Sequence, residues 1–121
     1  MKHDAPQRKS VVWLFREGMK TPPMSEAARI EAGMAIRRIQ NGRTPDFPLV
    51  RPMPSIGPRC GEVRVADGDS AWRVFFRVDD DRLLLVHLLQ KKTQQTPKAD
   101  IDLCKARLAA YDRAVAERKR T

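Results

Sequence analysis

The chain has 121 residues and a mass of 13.8 kDa, with 41% apolar and 32% charged residues, and 24 Lys and Arg against 15 Asp and Glu leave +9. That length suits one domain over residues 1–121 with a core of its own, and the composition excludes a disordered chain. The charge points to a polyanionic partner, whereas no apolar run approaches the ~18 residues of a membrane span.

In chain order, MKHDAPQRKSVVWLF lacks the pattern of a secretory leader, so a cytoplasmic protein is expected. Its VVWLF, residues 11–15, suits a strand. Thr21-Pro22-Pro23 interrupts the chain, and Ser25 caps a predicted helix running to about Gln40. Ala28, Ala32, Ala35, Ile36 and Ile39 form its apolar stripe, with Arg29, Arg37 and Arg38 off it. Asn41-Gly42 stops the helix. Five prolines between residues 43 and 59 predict a loop, because proline lacks the amide that a ladder or helix needs.

Three strands are predicted next, at 61–66, 72–78 and 82–91. In the first, Val63 and Val65 alternate with Glu62 and Arg64. In the second, Val74, Phe76 and Val78 alternate with Arg73, Phe75 and Arg77. Asp67-Gly68-Asp69 and Asp79-Asp80-Asp81 make the turns between them. RLLLVHLLQ is nearly continuous in apolar residues and reads as a central strand covered on both sides. Thr96-Pro97 opens a last helix, predicted over 98–116, with Ile101, Cys104, Leu108, Tyr111 and Val115 as its buried seam. The RKRT run after it reads as a frayed basic tail. The expected architecture is a small α+β domain: an antiparallel sheet with helices packed on one face, the face of Val63, Val74 and Phe76.

Cys60 and Cys104 suit a reduced protein better than a disulfide framework. Neither they nor His3 and His87 are spaced as zinc ligands, and GxxxxGK[ST], GxGxxG and GxSxG are all missing. Neither a metal nor a cofactor is expected. The strands carry Arg64, Arg73, Arg77, Lys91 and Lys92 against Glu62 alone, because most acids of this region fall in the turns. Helices over the valine face would leave a basic floor opposite.

The run GEVRVADGDSAWRVFFRV followed by LLLVHLLQKKTQQTPKADIDLCKARL resembles the phage-derived branch of the RelE/HigB toxin superfamily. RPMPSIGPRCGEVRV and AGMAIRRIQNG match that branch's loop and first long helix, so the likeness spans about residues 11–111. KKTQQTP after a strand is its most specific element. The resemblance implies a toxin of a type II toxin–antitoxin pair that cleaves messenger RNA on the ribosome without metal. The ribose 2′-hydroxyl attacks the adjacent phosphate, leaving a 2′,3′-cyclic phosphate and a 5′-hydroxyl. It also implies a cognate antitoxin, commonly a helix-turn-helix protein encoded alongside.

Such chemistry needs a base, cations around a phosphorane gaining charge, and an acid for the leaving oxygen. By the resemblance, Arg64, Arg73, Lys91 and Lys92 match the cationic cleft positions. His87 is the candidate for proton transfer, set against a histidine simply packed in its strand. Arg77 and Lys98 are expected to add RNA contacts. No tyrosine stands near KKT, and Tyr111 lies on the helix seam, so the base stays open. The competing expectation is a non-catalytic protein of the same fold that binds nucleic acid or an antitoxin.

Overall fold

The computed structural model describes residues 8–15, 24–43, 49–91 and 95–120. Five strands and two helices follow in the order β1 (Ser10–Trp13), α1 (Glu26–Gln40), β2 (Val50–Pro52), β3 (Cys60–Asp67), β4 (Ser70–Val78), β5 (Arg82–Lys91) and α2 (Lys98–Arg120). They form one sheet in the order β1-β5-β4-β3-β2, antiparallel except where β1 runs parallel to β5. The α+β class therefore holds, with a mostly antiparallel sheet.

α1 starts where expected. The Ser25 hydroxyl accepts from the Ala28 amide at 3.1 Å, one of the orphan donors of a helix start. The Ser25 amide donates to Asp67 Oδ2 at 2.9 Å, and Trp72 Nε1 donates to the same oxygen at 2.9 Å. One turn carboxylate thereby ties the helix start to the β3–β4 hairpin. These bonds hold the Asp67 carboxyl below its ordinary value, the Ser25 amide foremost. At the other end Asn41 caps α1, and Gly42 takes a φ of 86°, the left-handed conformation a helix exit favours.

From residue 49 on, the described part of the proline-rich segment is not all loop. Val50–Pro52 pairs with β3 as an edge strand, Val50 opposite Val63 and Arg51 opposite Glu62. An edge tolerates proline because its outer amides need no sheet partner.

The β3–β4 register sets the two faces. Val63 stands opposite Val74, Val65 opposite Trp72, and Arg64 opposite Arg73. Valines therefore share one face and these arginines the other, as alternation requires. The stripe Ala28, Ala32, Ala35, Ile36 and Ile39 of α1 packs on the valine face with Val63, Val65, Val74, Phe76, Leu83 and Leu85.

α2 corrects the expected placement. It does not join α1 on the valine face but lies over the opposite one, where Cys104 and Leu108 pack against Cys60, Phe75, Leu84 and Val86. The reason lies in β5, whose consecutive residues Leu83, Leu84, Leu85 and Val86 are all buried, so each face needs its own cover. Phe75 adds apolar area to the arginine face, and α1 already fills the other. β5 is thus covered on both sides as read, although β4 is the middle strand. α2 begins with the Ile101 amide bonded to the Pro97 carbonyl, one residue later than a Thr96 cap would give. It runs through Arg120, so the basic run forms its last turn rather than a frayed tail.

Gly61 is the tightest point of the edge. A Cβ there would lie 2.6 Å from Phe76 Cζ and 3.0 Å from the Arg51 carbonyl oxygen, and the backbone cannot yield as a side chain would. Gly61→Ala should destabilise the fold by about 1–3 kcal/mol, the usual scale of overpacking. Urea unfolding measures this, and an unchanged midpoint would contradict the packing described.

Candidate nucleic-acid interface

Three polar groups stand on the arginine face, around the apolar patch under α2. The first lies where β2, β3 and β4 run side by side. Glu62 is 1% exposed and Arg73 is not exposed at all. The Glu62 carboxylate lies 3.6 Å from Arg51 Nε and 3.8 Å from Arg73 Nε. Neither carboxylate oxygen accepts a hydrogen bond from a described residue. Burial pushes the Glu62 carboxyl above its ordinary value, against the pull of Arg73, Arg51 and Arg64 in that order. Burial likewise lowers Arg73, aided by the like charges of Arg64 and Arg51 and opposed by Glu62. Arg73 Nη1 donates to Thr96 Oγ1 at 3.2 Å, so the segment leading into α2 is tied to this cluster. Beside it opens a cleft of about 560 Å³ lined by Arg51, Met53, Ser55, Gln95, Thr96 and Ile101.

The second group joins β5 to α2. His87 Nε2 lies 2.8 Å from Asp100 Oδ1, and Nδ1 lies 3.2 Å from Arg107 Nη1. Arginine only donates, so Nδ1 accepts and Nε2–H donates to Asp100. The ring stacks on Phe75, with centroids 5.9 Å apart and planes 17° apart. Arg107 Nη1 also donates to the Val86 carbonyl at 2.8 Å. Val86 is the extra residue of a bulge, since Phe75 pairs with His87 and Phe76 with Leu85.

Further along β4, Arg77 holds α2 by a different device. Its guanidinium donates to both oxygens of Asp79, at 2.9 and 3.0 Å, and to both oxygens of Asp112, at 3.1 and 2.8 Å. These bonds, those to Asp112 foremost, hold it charged more firmly than an ordinary arginine. The Asp112 carboxyl is depressed in turn, by Arg77.

The residues read from the sequence are therefore distributed unevenly. Arg64 and Arg73 are direct cross-strand partners on one face, Arg64 half-buried and Arg73 beneath the surface. His87 is on the same face, two strands from Glu62 along the row Glu62–Phe75–His87. Arg77 is engaged with its two aspartates, and Lys98, exposed, pairs with Asp102 at 2.8 Å. Lys91 pairs through its backbone with Ala71, while its side chain and all of Lys92 lie outside the described residues. Trp72 packs in the core, whereas Trp13 is exposed. Cys60 and Cys104 are both buried free thiols, and burial pushes Cys104 up to about 12.

Sequence reading missed Arg51, Thr96 as an acceptor for Arg73, and the Asp100 and Arg107 flanks of His87. Arg51 was hidden by the prolines around it. The one available signal was Glu62, a lone acid alternating among arginines. Among the described residues no three His, Cys, Asp or Glu side chains group as metal ligands would, and no helix is long and apolar enough to cross a membrane.

Fold and site together define a small basic α+β domain with an arginine cluster at the edge of a cleft. The family described as phage derived protein Gp49-like (DUF891) matches residues 22–109, which holds α1, strands β2 to β5 and the first half of α2. The chain belongs to that phage-derived, Gp49-like family. No curated protein and no solved structure matches it.

The Arg77 clamp yields a stability test. Arg77→Ala strands two carboxylates and should cost roughly 3 kcal/mol, whereas Asp112→Asn, at a half-exposed partner, should cost about 1 kcal/mol or less. A depressed carboxyl contributes above its unfolded value, ordinarily 3.8, and the contribution is lost as pH falls through the folded one. Asp112→Asn should therefore flatten the acid side of the stability profile, read by urea midpoints from pH 7 to pH 2. An acid limb as steep as the parent's would contradict the clamp.

Proposed function

We propose that this protein is the toxin of a type II toxin–antitoxin pair of the RelE/HigB kind, an endoribonuclease cleaving messenger RNA on the ribosome by metal-independent 2′-hydroxyl attack. The observation that carries the reading is the gathering of Arg51, Arg64 and Arg73 around one buried carboxylate at a cleft, in a chain of a phage-derived family. Arginine presents a permanently charged planar fork, suited to the equatorial oxygens of a phosphorane. Arg51, Arg64 and Arg73 bring three guanidinium groups to one acid, Glu62.

In this reading Arg64 contacts the scissile phosphate and Arg73 supports it from below. Lys91 and Lys92 are assigned to the cleft by the resemblance alone, and Lys98, exposed in the first turn of α2, adds to the basic surface, whereas Arg77 is engaged by Asp79 and Asp112. His87 belongs to the site as the residue that fixes β5 against the start of α2. Both its ring nitrogens are engaged by Asp100 and Arg107, and this favours a second reading, a non-catalytic member of the fold that binds nucleic acid or an antitoxin.

Turnover separates the two. Arg64→Ala should lower single-turnover cleavage at saturating enzyme by about 10²–10³-fold, the scale of losing an oxyanion-stabilising donor. Lys119→Ala, in the exposed last turn of α2, should only weaken binding and flatten its salt dependence. Equal cleavage by Arg64→Ala and the parent would move the active site elsewhere, and no cleavage by the parent on ribosomes would leave the binding reading.

Partnering is tested in cells. Induced expression should arrest growth with mapped message cleavage, and co-expression of the protein encoded by the adjacent gene should restore growth and yield a stable complex. Growth unaffected by induction would count against a toxin.

A further inference from the structure

We propose that Arg51, which the family resemblance does not assign, is a phosphodiester-contacting residue of the cleft, and that Glu62 is its positioning residue. The inference rests on the reading of the cleft as an RNA site and deepens it by naming which side chains hold the backbone next to the scissile position.

The argument begins with Glu62. A carboxylate at 1% exposure whose oxygens accept no hydrogen bond from a described residue is costly to the fold. Apolar packing gives no reason for an acid here, because the partner across β4 is Phe75. What surrounds it is cationic: Arg51 on one side, Arg73 on the other, and Arg64 near enough to pull its carboxyl down. One negative charge thus orders three positive ones.

The three arginines differ in what they can reach. Arg73 is wholly buried and bonded to Thr96, so it stays beneath the surface. Arg51 has a side chain 29% exposed and stands on the edge strand opposite Glu62. It also lines the open cleft with Ser55, Gln95 and Thr96. Held by Glu62 on one side and facing the cleft on the other, Arg51 has part of its long side chain ordered before a ligand arrives. This lowers the entropy lost on binding. The ligand that a guanidinium's fixed charge and planar fork suit at this cleft is a phosphodiester of a single-stranded RNA.

The experiment uses the whole chain and a short RNA with 2′-O-methyl riboses, which cannot be cut. A single neutral methylphosphonate is walked along the strand, and affinity is measured at fixed salt. Arg51→Ala should weaken the all-charged strand roughly tenfold or more, as for a lost hydrogen bond to a charged group. That penalty should vanish when one particular linkage is neutral. Glu62→Gln should reproduce the loss at the same linkage, and the double variant should lose no more than Arg51→Ala alone.

A loss spread evenly over all linkages, or none, would overturn the assignment of Arg51. Additive losses in the double variant would overturn the role of Glu62. Should Glu62→Gln fail to fold, Glu62→Asp takes its place, with a partial loss at the same linkage expected. A parent that does not bind the charged strand would remove the RNA reading itself, and this inference with it. A parent that binds it while Arg51→Ala binds equally well removes only the inference.

Discussion

Arginine keeps its charge at any pH a folded protein meets, so a guanidinium without solvent contact has to be surrounded by acceptors. Arg73 in the middle strand imposes that demand here. Glu62 answers its charge with a carboxylate 3.8 Å away on the neighbouring strand, and Thr96 supplies an acceptor from the segment before α2. Meeting it brings an acid into the sheet interior, and the acid in turn collects Arg51 from the edge strand. The path of β2, the approach to α2 and the cleft between them all follow the needs of one buried cation.

The same face shows how α2 is kept in place over a surface that is only partly apolar. Cys104 and Leu108 supply the apolar contact, flanked at either end by a polar clamp. Toward the start of the helix, Asp100 and Arg107 grip His87 and the Val86 carbonyl. Farther on, Asp112 and Asp79 share Arg77. Apolar burial is non-directional, whereas these bonds fix the position of the helix along the strands. They also leave the Glu62 end of the face open, where Arg51 and Thr96 border the cleft.

The valine face is built differently. α1 meets it through small residues, Ala28, Ala32 and Ala35, which let helix and sheet approach closely, and through Ile36 and Ile39. Its polar ties lie at the two ends: Asp67 serves the hairpin turn, the helix start and the Trp72 indole together, and Gln40 exchanges hydrogen bonds with the Lys9 backbone ahead of β1. An aspartate chosen by a turn for its local geometry thus also sets the long-range position of α1. The acids in the turns, which by composition look like solvated charges, are structural at Asp67 and Asp79.

What the sequence by itself determined was everything carried by local periodicity and chain-local chemistry. Alternation in GEVRVA and WRVFFRV put Arg64 and Arg73 on one face, and the alanine–isoleucine stripe with Ser25 defined α1 almost to the residue. What only the tertiary structure decided was how those surfaces meet. β2 was hidden because its ladder is made with β3, not within its own proline-rich stretch. The face taken by α2 followed from β5 needing cover on both sides and α1 already occupying one, a competition that no local pattern records. The partners of Arg73, Arg77 and His87 lie 11, 35 and 13 residues away in Glu62, Asp112 and Asp100. Whether a strand arginine points at solvent or beneath a helix depends on those distant groups, because the cost of burying a charge is set by whatever the fold places beside it.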